Sequence, residues 1–238
     1  MNAVHLMIEM SRIVILVDNK KLDPQLRSTW GFSAYVESNN YRGLIDVGPD
    51  YNALVHNAKL LGIDLHNLDF IAITHWHGDH SGALDLLLTK MVSNISLLVF
   101  PSKYKAISSR AEVIIPSGFS EILPDIYTTG PLSRSFLVEQ SIILAKKGIL
   151  VVGCSHPGIP KILTALDEHD IKVRTIIGGF HMFGSSKTAK KRVLDSLESH
   201  GVKTVIPCHC SGNDFVEFLH EYFNGKIVEC GTGLIYNI

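Results

Sequence analysis

The sequence predicts a layered α/β fold, and three observations point to it. Short runs rich in Val, Ile and Leu, bounded by Gly, Pro, Asn or charged residues, recur along all 238 residues, as buried strands do. Helical patterns fall between some of these runs, and in the second half strand and helix alternate,. Four runs also end in or near a histidine: Ile71 to His75, Val151 to His156, Ile176 to His181 and Val205 to His209. Open α/β sheets place ligand sites just past strand ends, so four loops are expected to converge on one site.

Taken in order, Ile13 to Val17 is an unbroken apolar run, and Phe32 to Glu37 and Gly43 to Val47 follow as strands of similar length. Asn52 to Leu61 has apolar residues at helical spacing, and Phe70 to Thr74 is again continuous and apolar,. A helix is expected over Gly82 to Leu88, then strands at Ser96 to Phe100, Glu112 to Ile115, Ser141 to Ala145 and Ile149 to Gly153. Helices at Lys161 to His169, Lys187 to Ser199 and Asp214 to Phe223 alternate with strands at Thr175 to Gly178, Lys203 to Ile206 and Gly233 to Tyr236. That is more strands than a doubly wound sheet of this length needs. No Pro-, Ser- or charge-rich linker divides the chain, so residues 1–238 are expected to form a single domain.

Composition narrows the function. A hydrophobic content of 46% supports a substantial core and excludes disorder, collagen and coiled coil,. With 22 basic and 23 acidic residues the net charge is −1, which provides no field for general nucleic-acid binding,. Glu9 and Arg12 flank the apolar run Ile13 to Val17, which is neither a signal h-region nor a spanning helix, and no later run approaches bilayer length,. The four cysteines, at 154, 208, 210 and 230, are too few and too clustered to staple the chain,. Reduced thiols in a cytoplasmic protein with no membrane association are therefore expected.

The 12 histidines carry the sharpest signal. In Thr74-His75-Trp76-His77-Gly78-Asp79-His80-Ser81-Gly82, three imidazoles and a carboxylate lie within six residues, directly after an apolar strand. Neutral imidazole and carboxylate are the ligands that divalent transition metals accept. In a tight loop His75 and His77 can meet one ion while Asp79 and His80 turn to a second. The bland alternative, a polar loop capping the next helix, leaves so dense a cluster of ligand-type side chains unexplained.

The HxHxDH pattern resembles the signature of the metallo-β-lactamase superfamily, and this implies an αββα four-layer sandwich with a one- or two-metal site at the edge of its sheets. Leu44-Ile45-Asp46-Val47-Gly48 resembles the family's early strand ending in Asp, and Val205-Ile206-Pro207-Cys208-His209 resembles its last metal histidine. Further segments resemble one subgroup: Val17-Asp18-Asn19, Asn57-Ala58 through Leu61-Gly62-Ile63-Asp64-Leu65, Glu139-Gln140, Gly148 to Gly153 running into Cys154-Ser155-His156-Pro157-Gly158-Ile159, Gly178-Gly179-Phe180-His181 and His209-Cys210-Ser211-Gly212. That subgroup is typified by the archaeal synthase that joins a dihydropterin-methyl diphosphate to ribofuranosylaminobenzene phosphate in methanopterin biosynthesis. Many of its members are described only as metal-dependent hydrolases.

The resemblance implies metal ligation by His75, His77, Asp79, His80, His156 and His209, with two divalent ions, zinc by default and manganese or iron as alternatives. No histidine lies between His80 and His156, where most of the superfamily has a third ligand. Glu139 could substitute as a ligand or accept a hydrogen bond behind one, or His156 could complete the first set. Cys154 stands where many relatives have a bridging Asp. Asp46 is expected to orient the histidine loop rather than to ligate. Asp79 is a ligand and proton acceptor, and His181 is a candidate for metal, substrate phosphate or merely the core. Cys208 and Cys210 read as small buried fillers. His5, His56, His66, His169, His200 and His220 carry no assignment.

The same site permits two chemistries on a phosphorylated small molecule. One is transfer, in which diphosphate leaves a pterin methylene carbon that an aryl acceptor attacks; the other is hydrolysis, including phosphodiester hydrolysis, by water that the metals activate. A metal-binding protein without catalysis is a third reading. A pterin needs a flat pocket, for which Trp30, Trp76 and Phe180 are candidates. Lys187, Lys190, Lys191 and Arg192, behind Ser185 and Ser186, read either as a solvated helical face or as a phosphate site at a helix N-terminus. Oligomeric state is not legible.

Overall fold

The computed structural model describes residues 11–38, 41–90, 95–103, 112–134 and 136–238; His5 and Glu9 lie outside them. The first half runs β1 (Arg12–Val17), β2 (Ser33–Ser38), β3 (Tyr41–Ile45), α1 (Tyr51–Leu60), β4 (Phe70–Ala72), α2 (Gly78–Ser81), α3 (Leu84–Lys90), β5 (Leu97–Val99) and β6 (Glu112–Ile114). The second half begins with β7 (Ser120–Leu123), β8 (Ile126–Thr128), β9 (Leu132–Arg134), β10 (Leu137–Glu139), β11 (Ile142–Leu144), β12 (Ile149–Val152), α4 (Ile159–Asp167) and β13 (Thr175–Gly179). It ends with α5 (Lys187–Ser199), β14 (Thr204–Cys208), a 3-10 turn (His209–Ser211), α6 (Asn213–Tyr222), β15 (Lys226–Ile227) and β16 (Ile235–Asn237).

The strands make two seven-stranded sheets, ordered β16-β1-β2-β3-β4-β5-β6 and β15-β14-β13-β12-β11-β8-β7, with β9 and β10 as a separate hairpin. Alternation along each strand decides which layer a residue joins. On β1, Ile13 and Ile15 enter the cluster shared with Ile142, Leu144, Ile149 and Val151 of the other sheet. Val14 and Leu16 enter the cluster formed with Leu54 of α1 and Leu84 and Leu87 of α3. On the other sheet Leu150 and Val152 face Ile162 and Leu163 of α4 and Val193 and Leu197 of α5. Helices therefore cover the outer face of each sheet, and the sheets pack on each other, the αββα sandwich expected from the sequence.

The edge where the site lies is set by the parallel strands. β3 pairs parallel with β4, and β12, β13 and β14 run parallel in register. Their C-terminal ends carry Asp46, the 74–80 loop, the 154–156 loop, His181 and His209 to one edge of the sandwich. The sequence reading missed β7 to β10 and β15, which are two to four residues long and mix polar with apolar positions; so short a segment has no period to read. Among the described residues no helix is long and apolar enough to cross a membrane.

Candidate metal centre

The cluster is assembled from five chain segments. After β4 the chain runs through Thr74 into His75, which is buried, and His77, which is exposed. The short helix α2 then brings in Asp79 and the fully buried His80. The rings of His75 and His80 lie 4.2 Å apart centroid to centroid, those of His75 and His156 4.8 Å, those of His77 and His156 5.0 Å, and those of His80 and His209 4.9 Å.

What lies behind each ring fixes which nitrogen faces inward. Asp46 Oδ2 accepts from His80 Nδ1 at 2.7 Å and from the Thr74 hydroxyl at 2.7 Å, and Oδ1 accepts from the Thr74 amide at 2.7 Å. Because the Thr74 hydroxyl proton is committed to Asp46, Thr74 Oγ1 accepts from His75 Nδ1 at 3.0 Å,. His209 Nδ1 in turn donates to Asn19 Oδ1 at 2.9 Å, while Asn19 Nδ2 donates to the His209 carbonyl at 2.9 Å and Asp18 Oδ2 accepts the His209 amide at 2.7 Å. Three histidines therefore carry their proton on Nδ1 and point an Nε2 lone pair at the common centre.

Metal-ligand atoms crowd together at that centre. His209 Nε2 lies 3.2 Å from Asp79 Oδ2, His80 Nε2 lies 3.2 Å from Cys154 Sγ, and His75 Nε2 lies 3.1 Å from His77 Nδ1. The Nε2 atom of His156 is buried with no hydrogen-bond partner among the described residues, although such an atom ordinarily costs about 1–3 kcal/mol. The donor set fits a divalent cation: His75, Cys154 and His156 present ligand atoms within 4.8 Å of one another, as do His80, Cys154 and His209. Cys154 belongs to both groups.

Without a metal, burial first and the neighbouring imidazoles second hold the His75 pKa far below its ordinary value. The same causes bring His156 down to about 3 and His209 down to about 4. His80 is the exception: burial lowers its pKa, but the charge and hydrogen bond of Asp46, with Asp79 and Glu139 nearby, outweigh burial and raise it. For His181 the hydrogen bond with Cys210 raises the pKa against partial burial. Its ring centroid is 4.5 Å from that of His156, and it stands exposed with φ +52°.

Glu139 has another use. Its Oε1 accepts the amides of Cys154 and Ser155, each at 2.9 Å, and its Oε2 accepts that of His156 at 2.7 Å. The carboxylate shapes the 154–156 turn, where Ser155 has φ +58°; this geometry supports a positioning role over ligation. Gly153 is required nearby, since a Cβ there would overlap the Thr74 hydroxyl.

Several expectations change. Cys208 and Cys230 form a disulfide, so the expectation of four free thiols is corrected; Cys154 and Cys210 are the free pair. The pairing links residues 22 apart across β14 and the C-terminal segment, which no local pattern reveals. Phe180 is 1% exposed and packs on Phe215, so it belongs to the core and not to a pocket. Trp76 is half-buried against Phe100 and donates to Ser102, whereas Trp30 is 63% exposed with its ring 5.2 Å from that of His209. Lys190 is spent on Asp214, Lys191 on Asp195 and Lys187 on Tyr222, and Ser186 caps α5 by accepting from Ala189, so these three lysines pack along the helix. His56, His66, His169 and His200 take no part in the ring contacts of the cluster, and His220 lines the outer wall of a neighbouring cleft. Sequence reasoning missed the roles of Asp18 and Asn19 and the exposed Phe183.

Residues 31–90 match the family model of the metallo-beta-lactamase superfamily. A metal-dependent hydrolase of the beta-lactamase superfamily, known from a crystal structure, superposes with a TM-score of 0.80 at 26% identity, covering 96% of this chain and 99% of that one. This is a metallo-β-lactamase-fold protein. Two proteins of Methanocaldococcus jannaschii resemble most of it. One is uncharacterized, 28% identical over 91% of this chain and 99% of its own length. The other is 7,8-dihydropterin-6-methyl-4-(beta-D-ribofuranosyl)-aminobenzene-5'-phosphate synthase, 26% identical over 83% of this chain and 88% of its own length.

Proposed function

We propose that this chain, working as one domain, is a metal-dependent enzyme acting on a phosphorylated small molecule. His75, His77 and His156 would hold one divalent ion and Asp79, His80 and His209 a second, and Cys154 lies within reach of ligand atoms of both sets. The observation that carries this reading is the convergence of His75, His80 and His209 Nε2, Cys154 Sγ and the Asp79 carboxylate on one centre, together with the unpartnered His156 Nε2. The mixed N, O and S donor set suits zinc best.

Bound there, the ions would polarise phosphoryl oxygens and stabilise charge on a departing phosphate or diphosphate. The residues of the chain supply the rest. Asp46 and Asn19 hold the His80 and His209 rings in the tautomer that offers Nε2 inward, Thr74 does so for His75, and Glu139 presents Cys154 and His156,. Asp79 combines ligation with acceptance of a proton on Oδ2. His181, exposed beside His156 and raised in pKa by Cys210, is placed to hold a proton on its imidazole for the leaving group,.

Within this class we favour transfer onto an aryl acceptor, which the similarity to the dihydropterin synthase over most of both chains supports. Hydrolysis is the second reading, favoured by the similarity to the metal-dependent hydrolase. The test incubates metal-replete protein with dihydropterin-methyl diphosphate, with and without ribofuranosylaminobenzene phosphate, and follows diphosphate release. Acceptor-dependent release supports transfer. Acceptor-independent release, or turnover of simple phosphoesters alone, supports hydrolysis. Bound metal without turnover of either kind refutes an enzyme with this substrate class.

A further inference from the structure

Trp30 and Phe183 are large aromatics left 63% and 78% exposed, and both line one cleft of about 970 Å³ whose wall includes His209. Its volume suits a small molecule. Singly exposed apolar residues need no explanation, but two aromatics on one concave surface beside a candidate metal ligand do.

Both are anchored on backbone packed against the centre. The residue after Trp30 is Gly31, where a Cβ would overlap the Asp79 carbonyl, and the Phe32 amide donates to that same carbonyl at 3.2 Å. The Trp30 ring meets that of His209 edge-on, at 64°. Phe183 is held from the other side: a Cβ on Gly212 would stand 2.7 Å from Phe183 Cα, so the 182–184 turn is seated on the loop that follows His209. Charge offers little selection here. Lys20 and Glu229 on the lining carry opposite charges, and Asp214 is tied to Lys190. What the cleft presents to a ligand is aromatic surface.

We propose that Trp30 and Phe183 form a ring-binding subsite, which selects substrates whose phosphoryl group is attached to a planar aromatic or heteroaromatic body. This deepens the proposed function and rests on it for the phosphoryl end of the substrate, while the ring end rests on Trp30 and Phe183, neither of them a proposed metal ligand. Stacking on an aromatic side chain is commonly measurable by its removal.

The test compares phenylphosphonate with methylphosphonate, which share the anionic group and differ in the ring, by calorimetric binding to metal-replete and metal-stripped protein. Phenylphosphonate is expected to bind at least tenfold more tightly. Trp30→Ala and Phe183→Ala should each shrink that ratio by roughly three- to tenfold, with methylphosphonate affinity unchanged, and Trp30→Phe should restore most of it. Circular dichroism establishes that each variant is folded. Equal binding of the two phosphonates, or a ratio that survives both alanine variants, overturns the subsite. A ring preference that persists when neither phosphonate responds to metal would instead refute the metal-centre reading and leave the ring subsite standing.

Discussion

Replacing Glu139 with glutamine separates positioning from ligation. The wild-type carboxylate is 1% exposed and accepts three backbone amides, two on Oε1 and one on Oε2. Burial pushes its pKa up and those three amides push it down, with burial the larger cause; full satisfaction of all three amides requires both oxygens to accept. Glutamine keeps one oxygen and sets an NH₂ against at least one amide. One buried N–H then loses its acceptor, at about 1–3 kcal/mol, and the remaining bonds lose their charge assistance, so the total is roughly 2–4 kcal/mol. For a chain of this size that lowers Tm by roughly 4–16 °C. Alanine would strand all three amides, at roughly 3–9 kcal/mol against a total stability of about 5–15 kcal/mol, so Gln is the variant to make. Thermal unfolding of metal-free protein measures the loss, and metal affinity should fall about 10–100-fold through the displaced Cys154 and His156. A Glu139→Gln protein whose metal-free Tm is unchanged but which binds one ion fewer would refute the reasoning and make Glu139 a ligand.

Asn19→Ala should weaken the ion assigned to Asp79, His80 and His209 far more than the other, because Asn19 Oδ1 accepts from His209 Nδ1 and its Nδ2 donates to the His209 carbonyl; stepwise chelator titration should resolve a weakened and a normal site, and uniform weakening would contradict it. Burial and neighbouring imidazoles hold His75 far below the ordinary histidine value and His156 at about 3, whereas Asp46 raises His80; stepwise lowering of the pH should therefore release the ion assigned to His80 before the one assigned to His75 and His156, measured by metal content after dialysis, and the reverse order would contradict it. Reducing the Cys208–Cys230 bond, which closes a loop of 22 residues, should lower stability by about 2–4 kcal/mol, measured by urea unfolding with and without a dithiol; an identical midpoint would contradict a stabilising cross-link.

The layered fold and the location of the centre were legible because short, unbroken apolar runs, and histidines at their ends, are local signals,. His75, His77, Asp79 and His80 declare themselves within six residues. What sits behind them does not: Asn19 meets His209 across 190 positions of chain, and Asp18 meets the same residue across 191, although the segment Val17-Asp18-Asn19 already carried part of the family resemblance. The open choice over Glu139 needed the β9–β10 hairpin, whose strands are too short to announce themselves. For Phe180 and Phe183 the sequence offers two phenylalanines three apart near one histidine. Only packing shows that the first enters the α4–α5–α6 core and the second faces solvent.

The proposed two-ion centre, with Cys154 within reach of both sets of ligands, is tested most directly by the metal stoichiometry of protein purified without chelators, followed by the absorption of its cobalt-substituted form. The account predicts two ions per chain and a thiolate-to-cobalt charge-transfer band that Cys154→Ser abolishes, with one ion lost in both His77→Ala and Asp79→Asn while each stays folded. No stoichiometric metal in the wild-type protein, or full metal content in both His77→Ala and Asp79→Asn, would contradict it.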